Sequence, residues 1–268
     1  DMNKAIHYFT LSANKNNYDA QLILGIFNYS GYGIPRDIKK GTFYINLASK
    51  NGQRQANFAY GFLLHKSHKY EEAIHYYKES SSFNNQYAKN NLGIIYKNGY
   101  DNINGQSGKA IVYFEEAIRQ KYDFLSMYNL SHIYIYDETI KGDINKAIEL
   151  LIKSSYVFHH SMILLCILLV KTYGFQIDLI KNEIEKHTKE KNGLWQKAYQ
   201  IIIYLNLFDN SILETYYNSY RSKDFVYDIL LMPVLSSDLK NEDKSISKSP
   251  FINTISSLFY EGFGIPIR

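Results

Sequence analysis

A chain of 268 residues with 30 Lys and Arg against 26 Asp and Glu carries a formal net charge of only +4, too small and too scattered to mark a nucleic-acid surface. Its 15 Gly and 4 Pro suit a mainly helical chain, and its single Cys excludes an internal disulfide. The length is large for one globular core but ordinary for an array, and the 26 Tyr fit an AT-rich coding genome, so tyrosine alone is no evidence of binding.

Taken in chain order, residues 1–174 repeat one short phrase. It reads KAIHYFTLSA, KGTFYINLAS, EAIHYYKESS, KAIVYFEEAI and KAIELLIKSS, anchored on the small residues Ala5, Gly41, Ala73, Ala110 and Ala147. The anchors recur every 32 to 37 residues, which is the signature of a stacked helical repeat. Between them lies a second pair of small residues: Ala20 and Gly25, Ala56 and Gly61, Ala88 and Gly93, weakening to Ser126 and Ser131. Each period therefore predicts two short helices whose small residues let the backbones approach, with larger side chains filling the space beside them. A mid-helix Gly costs roughly 0.5–1 kcal/mol against Ala, so its recurrence at one phase predicts a close helix contact.

The first repeat is joined by Gly31-Tyr32-Gly33-Ile34-Pro35-Arg36-Asp37. Here Gly31 can end one helix in the left-handed conformation, and Asp37 can cap the next, which opens with Ile38-Lys39-Lys40. The G-x-G start is no dinucleotide loop, because its sixth position is Arg36 and no strand precedes it. The following connector shortens to HKSHKY, and the fifth repeat, HHSMILLCILLVKTYG, keeps only apolar character. Its nine-residue run from Met162 to Val170 is far below the roughly 20 residues that cross a bilayer. That run predicts a buried helix with Cys166 as a core residue.

The combination of A-x4-G, G-x-G-I-P-x-D and K-A-x2-Y-[FY]-x2-[AS]-[AS] resembles the Sel-1-like repeat, a longer-looped relative of the tetratricopeptide repeat. The resemblance implies an all-α fold, a right-handed α-α superhelical solenoid of about five stacked two-helix repeats over residues 1–174. It also implies an adaptor or scaffold that gathers partners, as in ubiquitin-ligase components of the endoplasmic reticulum and bacterial signalling proteins. The single Cys departs from the cysteine-paired secreted branch of that family.

Beyond Phe175 the period dissolves, and residues 175–249 are expected to be degenerate helical repeats or a helical insertion, with a hinge as one option. Ile177, Ile180, Ile184 and His187 fall on one face of a charged helix, and Leu194 to Phe208 predicts a buried helix. Leu213, Tyr216, Tyr217 and Tyr220 share helical spacing, as do Phe225, Ile229 and Met232, before a polar loop at 236–250. Residues 251–268 read as the first helix of a further, truncated repeat, because Phe259 to Pro266 echoes Asn28 to Pro35. Ile255, Leu258 and Phe259 would face a missing neighbour there, so a longer parent protein is expected.

No catalytic, metal-binding or phosphate-loop signature is present, so the expectation is a non-enzyme without cofactor. His65 and His68 lack a nearby Cys or paired carboxylate, and adjacent His159 and His160 point apart on a helix. Two glycosylation-type triplets, at Asn28 and Asn129, fall in predicted helices and carry little weight.

By the resemblance, the first helix of each pair lines a concave groove. The groove-facing positions are six and three before the glycine, and one and four after it. They fall on Asp19, Leu22, Ile26 and Tyr29; on Gln55, Phe58, Phe62 and His65; on Tyr87, Asn90, Ile94 and Lys97; and on Leu125, Tyr128, His132 and Ile135. The polar and tyrosine members are the contact candidates: Asp19, Tyr29, Gln55, His65, Tyr87, Asn90, Lys97, Tyr128 and His132. Leu22, Phe58 and Ile94 read equally well as stack core. The expected partners are one or more proteins or peptide segments, with no nucleic acid and no membrane span. Three alternatives stay open: a lumenal adaptor of an endoplasmic-reticulum degradation ligase, a regulatory region fused to an enzyme domain, and a helical enzyme using residues 175–249. The compartment, cytoplasm or endoplasmic-reticulum lumen, also stays open.

Overall fold

The computed structural model describes residues 2–100, 105–120, 123–188 and 193–206. Among them there are twelve helices and no strand. In order they are α1 (Met2–Asn14), α2 (Tyr18–Ser30), α3 (Ile38–Lys50), α4 (Arg54–Lys66), α5 (Tyr70–Ser82), α6 (Gln86–Asn98), α7 (Ser107–Gln120), α8 (Phe124–Tyr136), α9 (Ile144–Ser155), α10 (His159–Tyr173), α11 (Ile177–Lys186) and α12 (Gly193–Asn206). The expected polar loop at 236–250, the helix at 251–268, and the runs at 213–220 and 225–232 lie outside the described residues. Two compact units divide the chain between Ala88 and Lys89.

In the first unit, α1 packs on α2, α2 on α3, α3 on α4, and α4 on α5, the order expected of stacked helix pairs. Close approach follows from the small residues. A Cβ on Gly41 would lie 2.6 Å from the Tyr29 nitrogen and 2.8 Å from the Gly25 oxygen. A Cβ on Gly25 would lie 2.7 Å from Ile45 Cγ1. The α2 and α3 backbones thus touch where both sequences write glycine. The same phase recurs with Gly61 against Tyr77, and in the second unit with Gly93 against Phe114. Leu22, Leu24, Ile26, Ile45, Phe58, Phe62 and Tyr77 fill the first unit's core.

The helix starts obey a rule written in two residues. Asn16, Gly52 and Asn84 hold φ of 63°, 88° and 63°, the left-handed region that Asn and Gly enter most readily. The next residue caps the following helix: Ala20, Ala56 and Ala88 donate their N–H groups to the side-chain oxygens of Asn17 (2.8 Å), Gln53 (2.8 Å) and Asn85 (3.0 Å). Asp37 and Asp143 cap α3 and α9 by accepting from the nitrogens of Lys40 (2.9 Å) and Lys146 (3.0 Å). Each such cap contributes ~1 kcal/mol. The expected end of α2 is also found, with Gly31 at φ 79° donating to the Phe27 oxygen.

In the second unit, α7 packs on α8, α8 on α9, and α9 on α10. Helix α8 is buried from Leu125 through Tyr134, with Ser126, Asn129, Ser131 and His132 among its buried residues. Met162 to Val170 lies within α10 and is buried except for Ile163, with Cys166 inside. Helix α11 buries Ile180 and Ile184, and α12 packs on both α10 and α11. The sequence predicted a buried helix from Leu194 to Phe208; α12, described to Asn206, is buried on one face only. Leu194, Ala198 and Ile202 are buried, while Tyr199 and Ile203 are 40% and 46% exposed.

Candidate functional site

The four positions carried over for each first helix separate into two kinds. Three before the glycine phase, Leu22, Phe58, Asn90 and Tyr128 are at most 1% exposed; one after it, Ile26, Phe62, Ile94 and His132 are at most 2% exposed. These positions face neighbouring helices, and polarity does not bring a side chain there to the surface. Asn90, Tyr128 and His132 are therefore corrected: as placed, they are stack interior and not contact surface. Asn90 Oδ1 accepts from Ser126 Oγ (3.1 Å) and Asn129 Nδ2 (2.9 Å), while Asn90 Nδ2 donates to Asn91 Oδ1 (3.2 Å), so α6 and α8 share a buried polar net. The Tyr128 ring stands edge-on to Phe158 at 5.4 Å and tilts against His132 at 5.7 Å.

The outer positions keep exposure. Six before the glycine, Asp19 is exposed and Gln55 and Tyr87 are half-buried; four after it, Tyr29, His65, Lys97 and Ile135 are half-buried. Leu125 is the exception, buried within α8. The two sets sit at opposite ends of thirteen-residue helices, about 15 Å apart along each axis. Each of these helices thus offers surface at its ends and not along its middle.

In the first unit the N-terminal rim is wired across repeats. Gln53 Nε2 donates to Asp19 Oδ1 at 3.1 Å and to Gln55 Oε1 at 2.5 Å, so one buried cap residue ties two rim residues together. Behind it, Asn51 Nδ2 donates to Gln21 Oε1 at 3.0 Å, and Gln21 Nε2 donates to the Ala13 oxygen at 3.2 Å. The Tyr87 ring lies 6.1 Å from that of Phe58. Gln21, Asn51 and Gln53 escaped the sequence reading. For Gln53 the signal is the left-handed Gly52 that precedes it, a pattern shared by Asn16-Asn17 before α2 and Asn84-Asn85 before α6.

At the other rim, the His65 ring packs edge-on to Tyr70 (5.4 Å) and Tyr77 (6.1 Å). Burial foremost, then the charges of Lys66 and His68, push its pKa down to about 4, so the imidazole is neutral at pH 7. In the second unit Lys97 lies near Asp137. Burial opposes ionisation of that carboxyl, but hydrogen bonds from Ser107 and Thr139 and the charge of Lys97 hold it below its ordinary value.

Among the described residues, no group of three His, Cys, Asp or Glu could hold a metal ion, and no helix is long and apolar enough to cross a membrane. Cys166 is buried, and burial pushes its thiol up to about 12, which removes it as a nucleophile. Both glycosylation-type asparagines are also buried, Asn28 at 3% and Asn129 at 0% exposure.

The family model for the Sel1 repeat matches residues 1–17, 19–53, 55–82, 86–122 and 125–156. The chain belongs to the Sel1 repeat family. Two solved structures share the Sel1 fold. A Sel1 repeat protein from Oxalobacter formigenes aligns at TM-score 0.59 and 22% identity over 74% of this chain and 80% of that one. The protein c5321, a protective antigen present in uropathogenic Escherichia coli strains and displaying an SLR fold, aligns at TM-score 0.58 and 16% identity. That alignment covers 82% of this chain and 56% of c5321. At these identities the likeness is one of fold. No curated protein matches the Sel1 chain in sequence.

Proposed function

We propose that this Sel1 repeat chain is a non-enzymatic scaffold that holds one or more proteins or peptide segments along the rims of its first helices. The observation that carries the reading is the division of the four repeat positions: two are sealed in the stack, and the outer two offer Asp19, Tyr29, Gln55, His65, Tyr87 and Lys97. The N-terminal rim of the first unit has a preorganised character, because Gln53 holds Asp19 and Gln55 in place before any partner arrives. Preorganised polar contacts beside a rigid aromatic lower the ordering cost of association.

The test is affinity purification from the native cell with the wild-type chain beside a Gln55→Ala, Tyr87→Ala variant whose helicity is checked by circular dichroism. Selective loss of a partner by the folded variant supports the reading. Retention of every partner sinks the rim assignment.

A further inference from the structure

We infer that the cleft beside the first connector binds an acidic segment of a partner protein, seating an aliphatic side chain with carboxylates on either side of it. The cleft has a volume of about 680 Å³, within the ~300–1,000 Å³ of sites that enclose a ligand. It owes its existence to the long connector. Gly33 lies over α1, where a Cβ would come within 2.6 Å of Met2 Cγ, and the Asp37 N–H donates to the Asn28 oxygen at 2.7 Å. The short turn between α4 and α5 has no such excursion.

The floor is Leu24 and Asn28, both buried, and Ile6 and Ile34 form apolar walls. Ile38, 49% exposed, forms the lip. Asn28 Nδ2 donates to the Leu24 oxygen at 2.7 Å. Its carboxamide oxygen accepts no hydrogen bond from a described residue, and a peptide N–H would satisfy it. Charge sets the sign of the occupant. Arg36, Lys39 and Lys40 stand at the mouth against Asp37 alone, whose Oδ1 already accepts the Lys40 N–H. Arg36 is held by its Nε donating to the Tyr29 oxygen at 2.9 Å, with its guanidinium 5.8 Å from the Tyr29 ring centroid. Neither Lys39 nor Lys40 forms an ion pair with a described residue. Apolar walls give a bare anion nothing, and three cations are few for a nucleic acid, so the complementary ligand is a peptide with both characters.

The inference rests on the scaffold reading only in taking a protein segment as the occupant, and it uses different residues. The probe is a phage-displayed library of random dodecapeptides selected on the immobilised chain, with the leading synthetic peptide then titrated by fluorescence anisotropy. We expect enrichment of peptides carrying Asp or Glu around an aliphatic residue. Their affinity should fall by at least about tenfold in Lys39→Glu with Lys40→Glu, and also in Ile38→Asp. It should hold in Gln55→Ala with Tyr87→Ala, all variants being confirmed helical. Enrichment without acidic character, no enrichment, or equal binding to the charge-reversed variant would overturn the inference. Loss only in the rim variant would overturn it while leaving the scaffold reading intact. Displacement by inorganic phosphate at the peptide's carboxylate concentration would reveal a free-anion site and overturn it as well.

Discussion

Replacing Gly41 by Ala puts one methyl between two helix backbones. Its carbon would meet the Tyr29 nitrogen at 2.6 Å, the Gly25 oxygen at 2.8 Å and Tyr29 Cα at 2.8 Å, where ordinary carbon contacts need ~3.5–4.0 Å. All three neighbours are backbone, so no side chain can swing aside. α2 and α3 must separate by nearly 1 Å, loosening Ile45 against Gly25 as well. Overpacking of this kind costs ~1–3 kcal/mol or more, and the gain in helix propensity returns only ~1 kcal/mol. The net expectation is destabilisation of about 1 kcal/mol or more, a fall in Tm of at least roughly 2–4 °C for an array of this size. Thermal melts followed by far-UV circular dichroism would read it, with Gly108→Ala as control, because a Cβ there meets nothing within 4 Å. Gly108→Ala should be neutral or slightly stabilising. A Gly41→Ala chain melting at or above wild type would refute the claim that these glycines exist for close helix contact.

Removing the α3 cap with Asp37→Ala leaves the Lys40 N–H without its 2.9 Å acceptor and should cost about 1 kcal/mol in denaturant melts. His65, with a folded pKa of about 4 against an ordinary 6.5, binds a proton more readily when unfolded. Its contribution is therefore complete above pH 6.5 and lost as pH falls towards 4, amounting to at most ~3 kcal/mol; His65→Phe should flatten that part of a stability–pH curve. The Cys166 thiol, buried and raised to about 12, should be silent to a thiol reagent in the native chain and react fully in denaturant. Rapid native labelling would show that the α10 core opens.

How much of this was legible varies along the chain. The helix pairs were, because Gly25, Gly41, Gly61 and Gly93 are costly inside helices and recur where a neighbouring helix presses close, by its backbone at Gly25 and Gly41 and by an aromatic ring at Gly61 and Gly93. The connector was too, since Gly31 and Asp37 act as their residue types dictate. The contact surface was legible only in part. One helix's phase tells which residues share a face, but not how far the neighbouring helices wrap around it. Asn90, Tyr128 and His132 were polar enough to suggest a surface, yet the stack closes over their position in each of the four repeats compared. Gln53 was passed over because its work is done by geometry: it caps α4 and reaches Asp19 from the preceding repeat. In α12, Tyr199 and Ile203 reach solvent although an apolar run suggested burial, because α10 and α11 cover only one side.

The most direct test of the scaffold reading is site-specific photo-crosslinking in the native cell. A benzophenone side chain would be placed in turn at Asp19, Gln55 and Tyr87 on the rim, and at Phe43 and His75, which are exposed on the second helices. The account predicts adducts with a common partner from the rim positions and none from Phe43 or His75. Adducts from the second helices alone, or equally from all five, would contradict it.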